Sequence, residues 1–555
     1  MSLIIFILLQ NQFKPITMIT ASNFMKIILC SCVSLFLLSN CIVDKQAPDL
    51  VPDERGTAPN YWCTWYWQNY LIEKGKEITN PDPKTVYTNS AARENVNQET
   101  IFGEEGMAKV MLPKTRGDYY FVIDHGWQDK RIKKNTFFSL IMDTLDFPKY
   151  AQLEPRDRVK QMNVDIKALG WRSLGLWVRG NPTEAEMRTF VEWSKYAGIE
   201  YWKIDGGDTK FYYATKIKEE IYPELTLEHV TGAGPLTPLW GEVDREFYPS
   251  AYYPELNSNK SGKMLEILQN TSVFRTYDAA PLLVTTTTMQ RVHDILTLTA
   301  GDARYSAILN VQDECNIAAA MGLLVAVKRH PMNTPRMYKG SDYHLQISGD
   351  RQVGKRLNEM DRFAVWQRIA PPMPAGYGSY HSSDEFMIDS IVFHENHTWY
   401  TPTYGKMVRQ SAPAVMSRNI TLPSVKADGE KPFVMASKFQ DGVVCIATEG
   451  RVKPNKSWFH PRAEITVSEL EAGQPIGVFG YYKTLTLEFT DDISKNAGVW
   501  AQDLLASEAV DISGRISIKG NTLTIQGDLI DEIGTSCNDE DDISAPGLVL
   551  RVSNN

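Results

Sequence analysis

From about residue 57 to residue 330 the chain alternates short apolar runs with longer amphipathic stretches. The runs are Tyr61 to Trp67, Tyr119 to Asp124, Ser173 to Val178, Tyr201 to Asp205, Thr226 to Val230, Ser272 to Tyr277 and Ser306 to Val311. Each has the length of a buried strand, and the intervening stretches have the length of helices. Thr183 opens one of them as an N-cap, with Glu186 three residues on as its capping-box partner. Arg156 to Leu169 and Thr287 to Leu298 read as helices in the same way. Strand–helix alternation of this kind builds a parallel sheet. It predicts an α/β fold, a (β/α)8 TIM barrel over residues 57–425, with one strand still to be placed. After Gly322 the pattern blurs, and Ser341 to Phe393 holds either that strand or an insertion.

The texture changes near residue 425. Val434 to Phe439, Val443 to Thr448, Ala463 to Val467, Ile476 to Tyr481, Thr484 to Phe489, Arg515 to Ile518, Thr522 to Ile525 and Leu548 to Val552 are short runs broken by Gly, Asp and Asn. That spacing predicts a C-terminal antiparallel β-sandwich over residues 426–555. The acidic run Asp539 to Asp542 reads as a solvated loop.

The first 41 residues carry a targeting pattern. Met25-Lys26 precedes an apolar stretch from Ile27 to Leu38, which ends in Ser39-Asn40-Cys41. A charged start, a short apolar core and a small-residue exit make an export signal. The stretch is too short for a comfortable membrane span. The ending is similar to a bacterial lipobox, which implies lipidation at Cys41, a tether over residues 42–56, and a protein exported to the periplasm or cell surface. Another apolar stretch, Leu3 to Leu9, precedes Met25.

Composition narrows the partners. Hydrophobic residues make up 43% of the 555, enough for a large core. The net charge of −9 leaves no basic stripe to neutralise phosphates, which argues against nucleic acid. Aromatic residues reach 11%; flat rings suit both sugar-binding clefts and large cores. Beyond Cys41 the cysteines are Cys63, Cys315, Cys445 and Cys537, scattered in no metal-binding spacing. No metal or other cofactor is expected.

Two aspartates carry the chemistry. Asp205 ends the run Tyr201-Trp202-Lys203-Ile204-Asp205, just before Gly206-Gly207. Asp278 ends Ser272-Val273-Phe274-Arg275-Thr276-Tyr277-Asp278. Strand-terminal aspartates also serve as loop starters and helix caps. A barrel enzyme that cleaves glycosidic bonds needs two carboxyl groups from different strand ends, one nucleophile and one proton donor.

The ordered motifs resemble the α-galactosidase clan of retaining glycoside hydrolases, families 27 and 36. Asn60 to Trp65 is similar to the clan's first strand, Tyr119 to Trp127 to its second, and Leu169 to Trp177 to its third. Gly198 to Asp205 is similar to its fourth strand, Gly-x-x-Tyr-x-Lys-x-Asp. Glu228 to Gly234 stands at a Gly-rich loop after strand five, and Phe274 to Asp278 resembles the acid/base segment. The resemblance implies Asp205 as nucleophile and Asp278 as acid/base. Lys203, two residues back on the same strand face, would favour the anionic nucleophile and hydrogen-bond a sugar hydroxyl. Arg275 would orient substrate, and Trp65, Asp124, His125, Trp127, Trp177 and Glu228 would complete the sugar pocket. The substrate class is a glycan, cut from its terminus.

Two departures bear on specificity. The clan's paired carboxylates after strand two appear here as Asp124-His125, which exchanges an anionic acceptor for imidazole. A non-galactose sugar, such as a β-L-arabinopyranoside, then enters the range. The step from Arg275 to Asp278 is one residue shorter than usual in family 27, so Asp294, Asp302 and Asp313 stand as reserve acids. A glycan-binding lipoprotein that keeps the barrel without turnover is the alternative from another class.

Overall fold

The structure is a computed structural model that describes residues 47–65, 67–68, 93–129, 131, 140–179, 182–205, 211–229, 258–276, 284–327, 329, 351–392, 407–453, 456–493 and 497–554. Cys41, the export segment, most of the Gly-rich loop after Glu228, and Asp278 lie outside them.

Eight parallel strands form the first sheet: β1 Tyr61–Cys63, β2 Tyr120–Ile123, β3 Ser173–Arg179, β4 Tyr201–Asp205, β5 Thr226–His229, β6 Val273–Arg275, β7 Ile308–Asn310 and β8 Ala326–Val327. Neighbours in the chain are neighbours in the sheet, and β1 also pairs with β8 through Tyr61↔Ala326. Between β7 and β8 the ring is bridged at Asn310↔Leu324, where the Leu324 N–H donates to the Leu309 carbonyl at 2.9 Å. A TIM barrel results, as the alternating pattern predicts. The eighth strand is two residues long and follows Gly322, whose φ of 64° ends the helix Cys315–Met321. Its apolar run merges with that helix in the sequence, which hides it from a pattern reading. It does not lie in Ser341 to Phe393.

Strand parity sorts the barrel's side chains into two layers. Trp62, Phe121, Ile123, Leu174, Leu176, Trp202, Ile204, Leu227, Phe274 and Leu309 join the large core shared with the outer helices. The alternate positions Tyr61, Cys63, Tyr120, Val122, Tyr201 and Ala326 form a separate cluster inside the ring. Gly175 is needed there, because a Cβ at that position would lie 2.6 Å from the Val122 Cγ2.

The helices Pro155–Ala168, Glu184–Ala197, Phe211–Ile221, Ser258–Gln269, Val284–Thr299 and Cys315–Met321 follow the strands in turn. At Glu184–Ala197 the capping box forms: the Glu186 N–H donates to the Thr183 Oγ1 at 3.3 Å, and the Thr183 N–H donates to Glu186 at 2.7 Å. Replacing Thr183 by alanine is expected to lower stability by about 1 kcal/mol. Chemical denaturation would read this as a shifted midpoint with an unchanged slope.

Beyond the barrel, an eight-stranded and a five-stranded sheet share the C-terminal region, with two separate antiparallel strand pairs. The sheets are mixed, not purely antiparallel. Val415–Arg418 pairs parallel with Phe433–Lys438, and Val444–Glu449 parallel with Pro475–Phe479. The strand Ser424–Lys426 of the five-stranded sheet intervenes between the first two, and such a crossover makes parallel neighbours. The eight-stranded sheet takes its first strand from Tyr380–Ser382.

The strands Phe433–Lys438 and Val444–Glu449 are almost wholly buried. The helices Cys315–Met321 and Asn358–Ile369 pack near them; at Gly477 a Cβ would meet the Trp366 ring at 2.8 Å. Arg362 on the second helix makes a buried two-point bond to Asp503, 2.9 and 2.7 Å, tying it to Ala497–Asp503. In the acidic run, Asp542 accepts two backbone N–H groups, from Ser544 at 2.8 Å and from Asn358, at the start of the helix Asn358–Ile369, at 3.2 Å.

Candidate active site

At the carboxyl ends of the strands the inward positions change from aromatic to polar. The lower layer is tyrosine: Tyr201 lies 5.1 Å from Tyr61 and 5.3 Å from Tyr120, ring to ring. The register Trp177↔Lys203↔Glu228 then sets one polar tier across β3, β4 and β5, with Asp124 just beyond β2.

Lys203 and Asp124 are both buried and form an ion pair. The Asp124 carboxylate also accepts from the Cys63 thiol at 3.0 Å and the His125 N–H at 2.8 Å, while its own N–H donates to Thr64 at 2.9 Å. Burial works against the Asp124 charge, but Lys203, Cys63 and the His125 N–H outweigh it and hold the carboxyl down at about 2. Burial likewise opposes the ammonium charge of Lys203, and Asp124 overcomes that to raise it above its ordinary value. The sequence places Lys203 beside Asp205; the structure commits its shortest contact to Asp124 instead.

Glu228 is fully buried. It accepts from the Tyr61 hydroxyl at 2.9 Å and from Asn310 Nδ2 at 2.6 Å, and Asn310 Oδ1 accepts the Ala326 N–H at 2.8 Å. This knot ties β1, β5, β7 and β8 together. Burial raises the Glu228 carboxyl above the usual range, against the opposing pull of Arg275 and Lys203. Arg275 itself is buried and donates to Gln312 at 3.1 Å.

Of the carboxylates in this tier, Asp124 and Glu228 are sealed, whereas Asp205 is half-buried. The Trp177 indole N–H donates to Asp205 Oδ2 at 3.1 Å. The His125 ring stacks flat on Trp177, centroids 4.1 Å apart and 17° between planes, and its Nε2 is 3.3 Å from Arg93. Trp65 is partly buried against the inner cluster.

Three expectations change. Trp127 presents no surface to a sugar: it is fully buried in the outer core, and its indole N–H donates to the Trp177 carbonyl at 2.9 Å. It braces Trp177 from behind, and Trp177 is itself buried, with its indole N–H turned to Asp205. Among the reserve acids, Asp294 sits on the outer helix Val284–Thr299, bound by Gln290 at 2.9 Å, and Asp302 lies in the turn that leads into β7, at the opposite end of the barrel. Asp313 stays near the mouth, where its carboxylate accepts the Arg329 N–H at 3.2 Å. Asp278 falls outside the described residues.

Sequence reasoning missed Tyr61, Cys63, Asn310 and Gln312 as parts of this tier. The available signal was a polar residue at an inward position of an apolar strand, as Asn310 is within Ile308 to Val311.

No family model matches the chain, and no curated protein matches it in sequence. Among solved structures, it is similar to the catalytic domain of the GH30 xylanase C from Talaromyces cellulolyticus, at 6% identity and a TM-score of 0.29, over 92% of this chain and 99% of that one.

Proposed function

We propose that this protein is a retaining, exo-acting glycoside hydrolase of the α-galactosidase type. The observation that carries the reading is Asp205, a half-buried carboxylate at the carboxyl end of β4, held by Trp177 above sealed polar groups. Active sites of such barrels sit at this end. Asp205 attacks the anomeric carbon as the glycosidic C–O bond breaks, and the leaving oxygen takes a proton from Asp278. The Asp278 carboxylate then removes a proton from water, whose oxygen displaces Asp205 and releases the sugar with its configuration retained. Asp278 enters by its place after β6 in the sequence.

The buried Asp124–Lys203 pair and Arg275 supply fixed charge around the sugar hydroxyls. His125, lying flat on Trp177, places a buried imidazole where the resembled clan has a second carboxylate. That favours a sugar needing fewer anionic acceptors, and a β-L-arabinopyranoside belongs beside the α-galactosides as a test substrate. We also place the protein on a bacterial membrane through lipid at Cys41.

The test is hydrolysis of a panel of nitrophenyl α- and β-glycosides by the protein from about residue 45. Release from an α-galactoside or a β-L-arabinopyranoside is expected. Activity confined to other sugars would remove the α-galactosidase-type assignment, and silence throughout would favour a glycan-binding role.

A further inference from the structure

A groove of about 920 Å3 lies away from the mouth. Its walls are the end of the helix Val284–Thr299, the loop 300–306, and the segment 374–382 that enters the C-terminal sheet. The loop leads into the first residue of β7, so the groove opens beside the amino-terminal end of the barrel, opposite Asp205. Its volume falls within the range of small-ligand sites.

The lining has a consistent chemistry. None of the residues that line it is Asp, Glu, Lys or Arg. The nearby Asp302 and Arg304 neutralise each other at 2.6 Å. Tyr305, Tyr377 and Tyr380 contribute rings, and Tyr377 and Tyr380 are partly exposed. His293 Nδ1 lies 2.8 Å from the Tyr380 hydroxyl, and burial holds this imidazole below its ordinary value, hence neutral. Phe386, 45% exposed, packs edge-on against the His293 ring at 5.6 Å. An anion would find no cation here and a cation no carboxylate. A wholly apolar ligand would make no use of the polar atoms along this wall, the hydroxyls of Ser379 and Ser382 and the His293–Tyr380 pair. A sugar offers C–H faces to the rings and hydroxyls to the polar groups.

We propose that this groove is a second saccharide-binding site, which holds a neutral glycan chain at the end of the barrel opposite the candidate catalytic mouth. The inference rests on the reading of the protein as one that acts on glycans. It gives a distinct purpose to residues the mechanism does not use: keeping a polymer at the protein between cleavage events.

The test is affinity electrophoresis of the Asp205→Asn protein through gels containing galactomannan, arabinogalactan or xylan, so that turnover plays no part. At least one polysaccharide is expected to retard migration. Tyr377→Ala removes a ring, and Thr297→Arg fills the groove from an exposed helix position with little risk to folding. Each is expected to weaken the retardation about fivefold or more. In the otherwise unaltered protein, Thr297→Arg should leave aryl-glycoside hydrolysis unchanged. No retardation by any of the three, or retardation indifferent to both substitutions, would overturn the groove as a glycan site. Retardation lost on Thr297→Arg in a protein silent on all aryl glycosides would support the groove while removing the hydrolase reading.

Discussion

Asp205→Ala is expected to lower aryl-glycoside turnover by about 10⁴-fold or more, with the fold intact. The size follows from the role: the attacking carboxylate forms the covalent bond that divides the reaction into two steps, and removing a nucleophile forfeits that route. Stability should change little, because Asp205 is half-buried and, among the described residues, its side chain is held by the Trp177 indole N–H. Added azide should restore turnover to Asp205→Ala, since a small anion fits where the carboxylate was and attacks from the same face. The glycosyl azide formed would have inverted configuration. Steady-state kinetics and NMR of the product would check both, and full activity in Asp205→Ala would take the nucleophile elsewhere.

The second large effect is on stability. Lys203→Met is expected to cost about 3–5 kcal/mol, because it leaves Asp124 charged, buried and without its principal partner. Adding Asp124→Asn should recover part of that loss, since the double replacement strands no charge. The pH dependence follows from the directions of both groups. Asp124 is depressed from 3.8 to about 2 in the folded protein, so its contribution is present above pH 3.8 and disappears as the pH falls through 2. That is about 2 kcal/mol. Lys203 is raised above 10.5, so its contribution is present below that value and is lost as the pH rises through the raised one. Denaturation midpoints of the wild type and Lys203→Met should therefore differ most between about pH 4 and pH 10, and converge in acid. Equal midpoints throughout would show that the pair contributes nothing.

Glu449 behaves in the opposite sense. Burial, reinforced by the charge of Glu314 and opposed by Arg351, pushes its carboxyl up to about 7. Its contribution is present below pH 4.5 and lost as the pH rises through 7. Glu449→Gln is accordingly expected to raise the melting temperature at pH 8 relative to the wild type and to leave it nearly unchanged at pH 4.

The barrel was legible because its strands obey one rule twice. The outward positions of Tyr201–Asp205 are Trp202 and Ile204, and the inward ones are Tyr201, Lys203 and Asp205, so a single five-residue run states both the core and the chemistry. The capping box at Thr183 was legible because it is purely local. The eighth strand was not, since two residues continuing an apolar helix produce no period of their own. The partner of Lys203 was not either: whether an inward lysine reaches Asp124 or Asp205 depends on packing around Cys63 and Thr64, which no spacing along β4 encodes. Trp127 shows the same limit. Its motif places it beside the expected sugar pocket, and the fold buries it in the outer core behind Trp177.

The most direct test of the central assignment is to trap the intermediate. The protein would be incubated with a 2-deoxy-2-fluoro glycoside of whichever sugar the panel identifies, carrying a good leaving group, then digested and examined by mass spectrometry. The account predicts one fluoroglycosyl group per chain, on the peptide that contains Asp205, and none in Asp205→Asn. A label on any other carboxylate, or turnover with inversion and no label, would contradict it.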